Sequence, residues 1–158
     1  MNPCHCGYHG DKSGRCRCSG DQVRRYRARI SGPLLDRIDL HVEVSRPARA
    51  IINGHGQKPE DSATVRERVI AARNLQVERS GVPNAQLSNA EVRRLCHLPP
   101  ALESFLETIA EKIHLSPRAC QRILKVARTL ADLDSEPEIE QQHLAEAIVY
   151  RGIDTKSS

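Results

Sequence analysis

Leu102, Phe105, Leu106, Ile109 and Ile113 recur at i, i+3, i+4, i+7 and i+11, with Glu103, Glu107 and Glu111 between them. An α-helix gathers that spacing onto one face, so the C-terminal part of the chain is constrained to helices packed along apolar seams. The neighbouring segments agree. Asp61-Ser62 starts a helix with Val65, Val69 and Ala72 on one face, and Gly81 ends it. Ser88-Asn-Ala-Glu91 is a capping box that opens a short helix to about His97, which Pro99-Pro100 breaks. Ser116 caps a further helix with Pro117 at its first position. Cys120, Ile123, Leu124, Ala127 and Leu130 form its expected buried face, and Arg118, Arg122 and Lys125 line another. Beyond Pro137 a last helix, roughly 140–150, packs Leu144, Ala147 and Ile148. Aromatic residues make up only 3% of the chain, so this bundle must be filled by Leu, Ile, Val and Ala.

Upstream the periodicity changes. Ile38, Leu40, Val42 and Val44 alternate with Asp39, His41 and Glu43, the period of two of a half-buried strand. Gly32-Pro33 bends the chain before it, and Leu34-Leu35-Asp36 forms a short helical turn. Arg37 is thereby expected at a strand mouth, and two readings stand. It holds its guanidinium toward an anion, or it forms a surface ion pair with Asp36 or Asp39. Residues 45–59 are dense in turn formers and make the best boundary in the chain, with His55 a loop histidine between two glycines. The expected division is residues 1–47, a linker at 48–60 and a helical domain at 61–158.

The N-terminal segment carries Cys4-His5-Cys6 and, nine residues later, Cys16-Arg17-Cys18. Gly7, Gly10 and Gly14 let the chain double back and bring the pairs together. Four thiolates around Zn²⁺ would form a closed tetrahedral site and order a loop too poor in apolar residues to fold alone. Alternatives stay open: His5 or His9 replaces one sulfur, or the cysteines are reduced thiols or a redox pair. Cys96 and Cys120, isolated on apolar faces, read as buried thiols.

Charge is unevenly distributed. The net +4 conceals seven Lys/Arg against two Asp in residues 1–30, while the remainder is slightly acidic. An anionic partner would meet the N-terminal end. Ser19-Gly-Asp-Gln22 is a capping box opening a helix to about Ile30, which carries Arg24, Arg25, Arg27 and Arg29 with Tyr26 between them. Arginines supply phosphate-binding charge and Tyr26 a surface for a base, so Arg24, Arg25 and Arg27 are candidate nucleic-acid contacts. The competing reading is a solvated helix that serves a nucleotide site or a neighbouring subunit. No run approaches 18 apolar residues and no signal peptide opens the chain, so a soluble, cytoplasmic protein without membrane partners is expected.

Two stretches carry a resemblance. Ser31-Gly-Pro-Leu-Leu-Asp-Arg-Ile-Asp-Leu40 resembles the arginine-finger segment of AAA+ ATPases in the magnesium-chelatase and minichromosome-maintenance branch. With Asn2-Pro-Cys-His-Cys-Gly7, it most resembles the ComM (YifB) family of magnesium-chelatase-like proteins. The family commonly has a second proline where His5 stands. Ser116-Pro-Arg118 and the helix after it resemble the sensor 2 helix of the same branch. The resemblance runs from Asn2 to about Arg151 and would correspond to the C-terminal third of a full-length member.

The implied fold is mainly α: the C-terminal remnant of an AAA+ α/β core with a zinc-type Cys loop and one or two strands, then an all-α helical lid. The implied roles are Arg37 as arginine finger acting in trans, Arg118 as the sensor 2 contact to ATP phosphate, and Asn2 as sensor 1. The phosphate-cradling G-x-x-x-x-G-K-[ST] loop is absent from the sequence, as is the acidic magnesium-binding strand. The chain alone is therefore expected not to turn over ATP, which with Mg²⁺ belongs to a full-length ring. The family works as hexameric rings, so the resemblance implies translocation on DNA, single-stranded or branched, during recombination and natural transformation. Two alternatives are a magnesium-chelatase-type subunit that remodels a protein partner, and a non-enzymatic zinc-containing adaptor that binds nucleic acid.

Overall fold

Capping side chains set the helix boundaries. The computed structural model describes residues 1–11, 13–35, 37–42, 44 and 60–151. Its described residues form α1 (Gly20–Arg27), α2 (Gly32–Leu35), α3 (Ser62–Ser80), a 3₁₀ turn (Asn84–Gln86), α4 (Asn89–Leu95), α5 (Pro100–Lys112), α6 (Pro117–Leu133) and α7 (Gln141–Val149). Ser19 and Ser88 each accept from the backbone N–H three residues on, and Gln22 and Glu91 reach back to the cap N–H groups. Both expected capping boxes therefore form. Asp61 and Ser116 cap α3 and α6 through the N–H groups of Thr64 and Ala119. Gly81 ends α3 at φ 75°, a left-handed conformation that a Cβ would strain.

The chain divides into two compact units, Met1–Ile38 and Asp39–Ser158. The second is organised on α6, against which α3, α4 and α7 all pack. Its core gathers Val92, Cys96, Leu106, Ile123, Ala127, Leu144 and Ala147, with Ile123 and Leu144 fully buried. Full burial of a side chain of that size contributes about 1.5–3 kcal/mol. The stripe on α5 faces this core as expected, Leu106 most deeply.

Two expectations need correction. The strand at 38–44 does not form, and the described residues contain no strand at all. Ile38, Leu40, Val42 and Val44 are 42–87% exposed. A strand needs a neighbouring backbone to pair with. The observed backbone bond here instead runs from His41 N–H to the carbonyl of Tyr150, at the end of α7 (2.9 Å). The extent of the α3 face is the second: Val65, Val69 and Ala72 do share a face, but only its C-terminal part is covered. Val65 and Val69 are exposed, whereas Ala72 and Gln76 are buried.

A polar network fastens the C-terminal half of α3 to α6. Asp132 of α6, 2% exposed, accepts two hydrogen bonds from Arg79 of α3 (2.7 Å each), one from Asn84 Nδ2 (2.7 Å) and one from Arg128 Nε (3.1 Å). Arg128 donates its remaining bonds to the carbonyls of Glu136 (2.6 Å) and Pro137 (2.8 Å). Gln76 Oε1 accepts from Asn84 N–H (3.1 Å). Val65, Val69, Ala72, Gln76 and Arg79 lie on one face of the helix, within an arc of about 80°. Val65 and Val69 are therefore exposed because the core does not reach the N-terminal half of α3, where residues 62–71 are exposed on every side.

Candidate metal centre and arginine sites

The first unit buries little apolar surface: Cys4 and Val23 are its only buried hydrophobic residues among those described. Its order comes from the cysteines. A turn closed by Gly7 N–H on the Cys4 carbonyl (3.0 Å) holds the first pair, with Gly7 at φ 78°. Asp11 accepts from Ser13 N–H (2.7 Å) and helps return the chain to the second pair. The Sγ atoms of Cys4, Cys6, Cys16 and Cys18 all lie within 4.8 Å of one another. Individual separations are 3.3 Å for Cys4–Cys6, 3.9 Å for Cys4–Cys16, 3.7 Å for Cys6–Cys16 and 3.4 Å for Cys6–Cys18.

Those separations test the fit of a metal. Zinc–sulfur bonds of about 2.3 Å in a tetrahedron put sulfurs about 3.8 Å apart. The four thiols match that edge length closely and could hold one metal ion. None of the four is in a disulfide. His5 and His9 are not members of the cluster, which removes the mixed ligand set.

The electrostatics set the thiols of the cluster apart. Burial is the largest single influence on the Cys4 thiol and pushes it up. Hydrogen bonds from Cys6, from the backbone at His9 and Tyr8 and from Cys18 outweigh it, bringing Cys4 to about 6. The backbone at Cys6 pulls Cys18 down, yet hydrogen bonding to the side chains of Cys6 and Cys4 and burial push it up to about 11. A backbone hydrogen bond at Cys18 pulls Cys16 down, yet burial and the side chains of Cys6 and Cys4 raise it as well. The remaining cysteines differ. Cys96 is 2% exposed and pushed up to about 11 by burial, the buried thiol expected; Cys120 is half-buried and also raised by burial.

Helix α1 is fastened to the cysteine turn by Arg27, whose Nε donates to the Pro3 carbonyl (3.3 Å). Arg24 forms an ion pair with Asp21, both largely exposed, which contributes little to stability. Arg25 is exposed and helps line a shallow hollow with His5, Cys18, Gln22, Tyr26 and Arg29. The three proposed nucleic-acid arginines therefore differ: one is tied to backbone, one to a carboxylate, and Arg25 faces the hollow. Sequence reasoning missed His5 and Arg29 as members of this group. The i, i+3 and i, i+4 spacing of Gln22, Arg25, Tyr26 and Arg29 could have flagged the helical part.

The arginines of the expected nucleotide machinery are exposed. Arg37 follows α2, with its N–H bonded to the Leu34 carbonyl (3.0 Å). Asn2 is exposed beside Gly7, its amide nitrogen 3.7 Å from where a Gly7 Cβ would stand. Both belong to the first unit. Arg118 lies in the first turn of α6 in the second unit, and no hydrogen bond or ion pair holds its side chain among the described residues. Arg122, one turn further on, pairs with Asp39. Lys125 donates to the carbonyls of Leu87 (2.6 Å) and Ala85 (3.2 Å), so it supports the 3₁₀ turn and not a ligand site. His55 and the greater part of the expected linker fall outside the described residues. No described helix is long and apolar enough to cross a membrane.

Comparison with known proteins gives two family matches. Residues 59–151 match the C-terminal domain of magnesium chelatase, subunit ChlI, and residues 1–51 match magnesium chelatase, subunit ChlI. The chain is 44% identical to the YifB protein of Salmonella typhimurium over 98% of its length and to that of Escherichia coli over the same share. It is also 44% identical to the competence protein ComM of Haemophilus influenzae over 97% of its length. In each case it spans 30% of the relative's own length.

Proposed function

The chain belongs to the magnesium chelatase, subunit ChlI family, and from that premise we propose that it is the C-terminal part of a ComM-like AAA+ ATPase that moves on DNA. The observation that carries the reading is the 44% identity to the Haemophilus influenzae competence protein across 97% of this chain. The exposed arginines on two separate units are in keeping with it.

The proposed work divides among this chain's own residues. Arg37, following a short hydrogen-bonded helical turn, neutralises charge on ATP bound by an adjacent subunit. Arg118, with its own backbone N–H in the first turn of α6, binds the phosphate of the nucleotide in its own subunit. An arginine there opposes the helix dipole unless an anion is shared with that N–H, which gives it a reason to be present. Asn2 orients the attacking water. Zinc on Cys4, Cys6, Cys16 and Cys18 supplies the crosslink that a small apolar core cannot. Arg24, Arg25 and Arg27 bring the basic excess of residues 1–30 to the DNA backbone.

The test is done in the full-length ring. Arg37→Ala is expected to lower turnover by ~10³–10⁵ while leaving ATP binding largely intact, because the charge it meets develops mainly in the transition state. Arg118→Ala weakens binding as well. Arg37→Ala subunits mixed with subunits lacking the Walker lysine recover some activity, since a competent site forms at their junction. Arg118→Ala mixed with the same lysine variant recovers less. Equal rescue by both mixtures would mean the cis and trans roles are misassigned. DNA affinity that does not fall with salt would favour the protein-remodelling alternative.

A further inference from the structure

Tyr26 and His5 meet at a corner. Their ring centroids are 6.3 Å apart and their planes inclined at 65°, so the rings do not close on each other as a stack. Both line one shallow hollow, with Arg25 and Arg29 at its sides and Gln22 and Cys18 completing it. The Arg29 guanidinium stands 5.7 Å from the Tyr26 ring centroid. No carboxylate is among the lining residues. The nearest acidic group on the same helix, Asp21, is already paired with Arg24.

This chemistry has a narrow set of ligands. Two cationic groups select an anionic polymer, yet charge alone would need no aromatic corner. Two ring faces and a guanidinium that stacks on aromatic planes suit a flat π-system. Gln22 adds an amide that can both donate to and accept from a polar edge. Bases in a duplex are stacked on each other and cannot enter; an unstacked base of a single strand can.

We infer that this hollow seats one unstacked base of single-stranded DNA against Tyr26 and His5, with Arg25 and Arg29 on the flanking phosphates. The inference rests on the DNA reading above and narrows its substrate to the single strand. Because His5 and Cys18 belong to the cysteine loop while Tyr26, Arg25 and Arg29 belong to α1, loss of the loop's order also removes the site.

The chain contains no tryptophan and three tyrosines, so its own tyrosine emission reports the site. Three probes of about 15 nucleotides are compared by anisotropy at one salt concentration: oligo(dT), an abasic deoxyribose-phosphate strand of equal length, and a duplex. The expected result is tightest binding to oligo(dT), with tyrosine quenching that the abasic strand does not produce. Tyr26→Leu should weaken oligo(dT) binding about 5- to 150-fold, the range for loss of one base–aromatic stack, and leave abasic-strand binding unchanged. Tyr8→Leu should retain the quenching. Equal affinity of the wild-type chain for oligo(dT) and the abasic strand overturns the base site while leaving a salt-dependent phosphate contact, and so the DNA reading, in place. Absence of binding to all three probes overturns both. The wild-type comparison of the three probes holds even if the Tyr26 variant does not fold.

Discussion

The two units of this chain are ordered by opposite means. The second has an apolar centre on α6, with Ile123 and Leu144 fully buried and a carboxylate, Asp132, satisfied inside it. The first has two buried hydrophobic residues among those described, one of them a cysteine, and its chain is folded back on four convergent thiols. The difference teaches where each unit is vulnerable. One depends on packing and on partners for a buried charge; the other depends on what the thiols bind.

Removing a thiol should separate the units most sharply. Cys4→Ser is expected to abolish the bound metal and the amide dispersion of residues 1–38, since structural zinc contributes about 10–16 kcal/mol in small domains. Helices α3–α7 should keep their hydrogen-exchange protection. Metal analysis and amide spectra on the same sample check both halves. A first unit that stays ordered without metal would erase the comparison.

The reciprocal experiment attacks the second unit. Asp132→Ala strands Arg79 and Arg128 without their shared carboxylate, with Arg128 only 4% exposed, and should cost about 3–5 kcal/mol. Urea unfolding followed by helical circular dichroism reads this, while metal content should not change. A smaller effect follows from Ser116→Ala, which leaves the Ala119 N–H of α6 without its cap and should cost about 1 kcal/mol. The same measurement detects it.

The smallest expected effect depends on pH. The Thr64 N–H holds the Asp61 carboxyl below its ordinary value, and the Ser88 hydroxyl and N–H do the same for Glu91. A depressed folded-state value contributes stability above the ordinary carboxylate range and loses it as pH falls through the folded value. Exchange protection of the first turns of α3 and α4 should therefore weaken on the acid side of that range. The α1 box is Ser19 with Gln22 and has no titrating group, so its cap should not respond. Equal acid sensitivity of the α1 and α4 caps in the metal-bound protein would contradict this assignment.

Two helix ends show the limit of reading caps from sequence. His114 and Ser135 adopt φ of 54° and 61° after α5 and α6, where no glycine announces a stop. The N–H groups of Leu115 and Glu136, each bonded at 2.8 Å to a carbonyl five residues earlier, hold those turns. These bonds back to the last turn of each helix offset the strain of a side chain in a left-handed conformation.

Helix starts, the α5 stripe, the glycine-allowed doubling of the cysteine loop and the basic bias of residues 1–30 were all determined by the sequence alone. Each depends on residues a few positions apart, where geometry follows from 3.6-residue periodicity, cap hydrogen bonds or a permitted φ. What only the tertiary structure decided depends on residues far apart in the chain. How much of the α3 face is covered was decided by packing, with Arg79 finding Asp132, 53 positions away, at the covered end. The fate of 38–44 was decided because alternation is only half of a strand, and a ladder needs a second backbone alongside. The hollow at Tyr26 joins α1 to His5, which no local spacing connects. Short-range rules are written in neighbouring residues; pairing across the fold is settled by which partners the finished packing brings within reach.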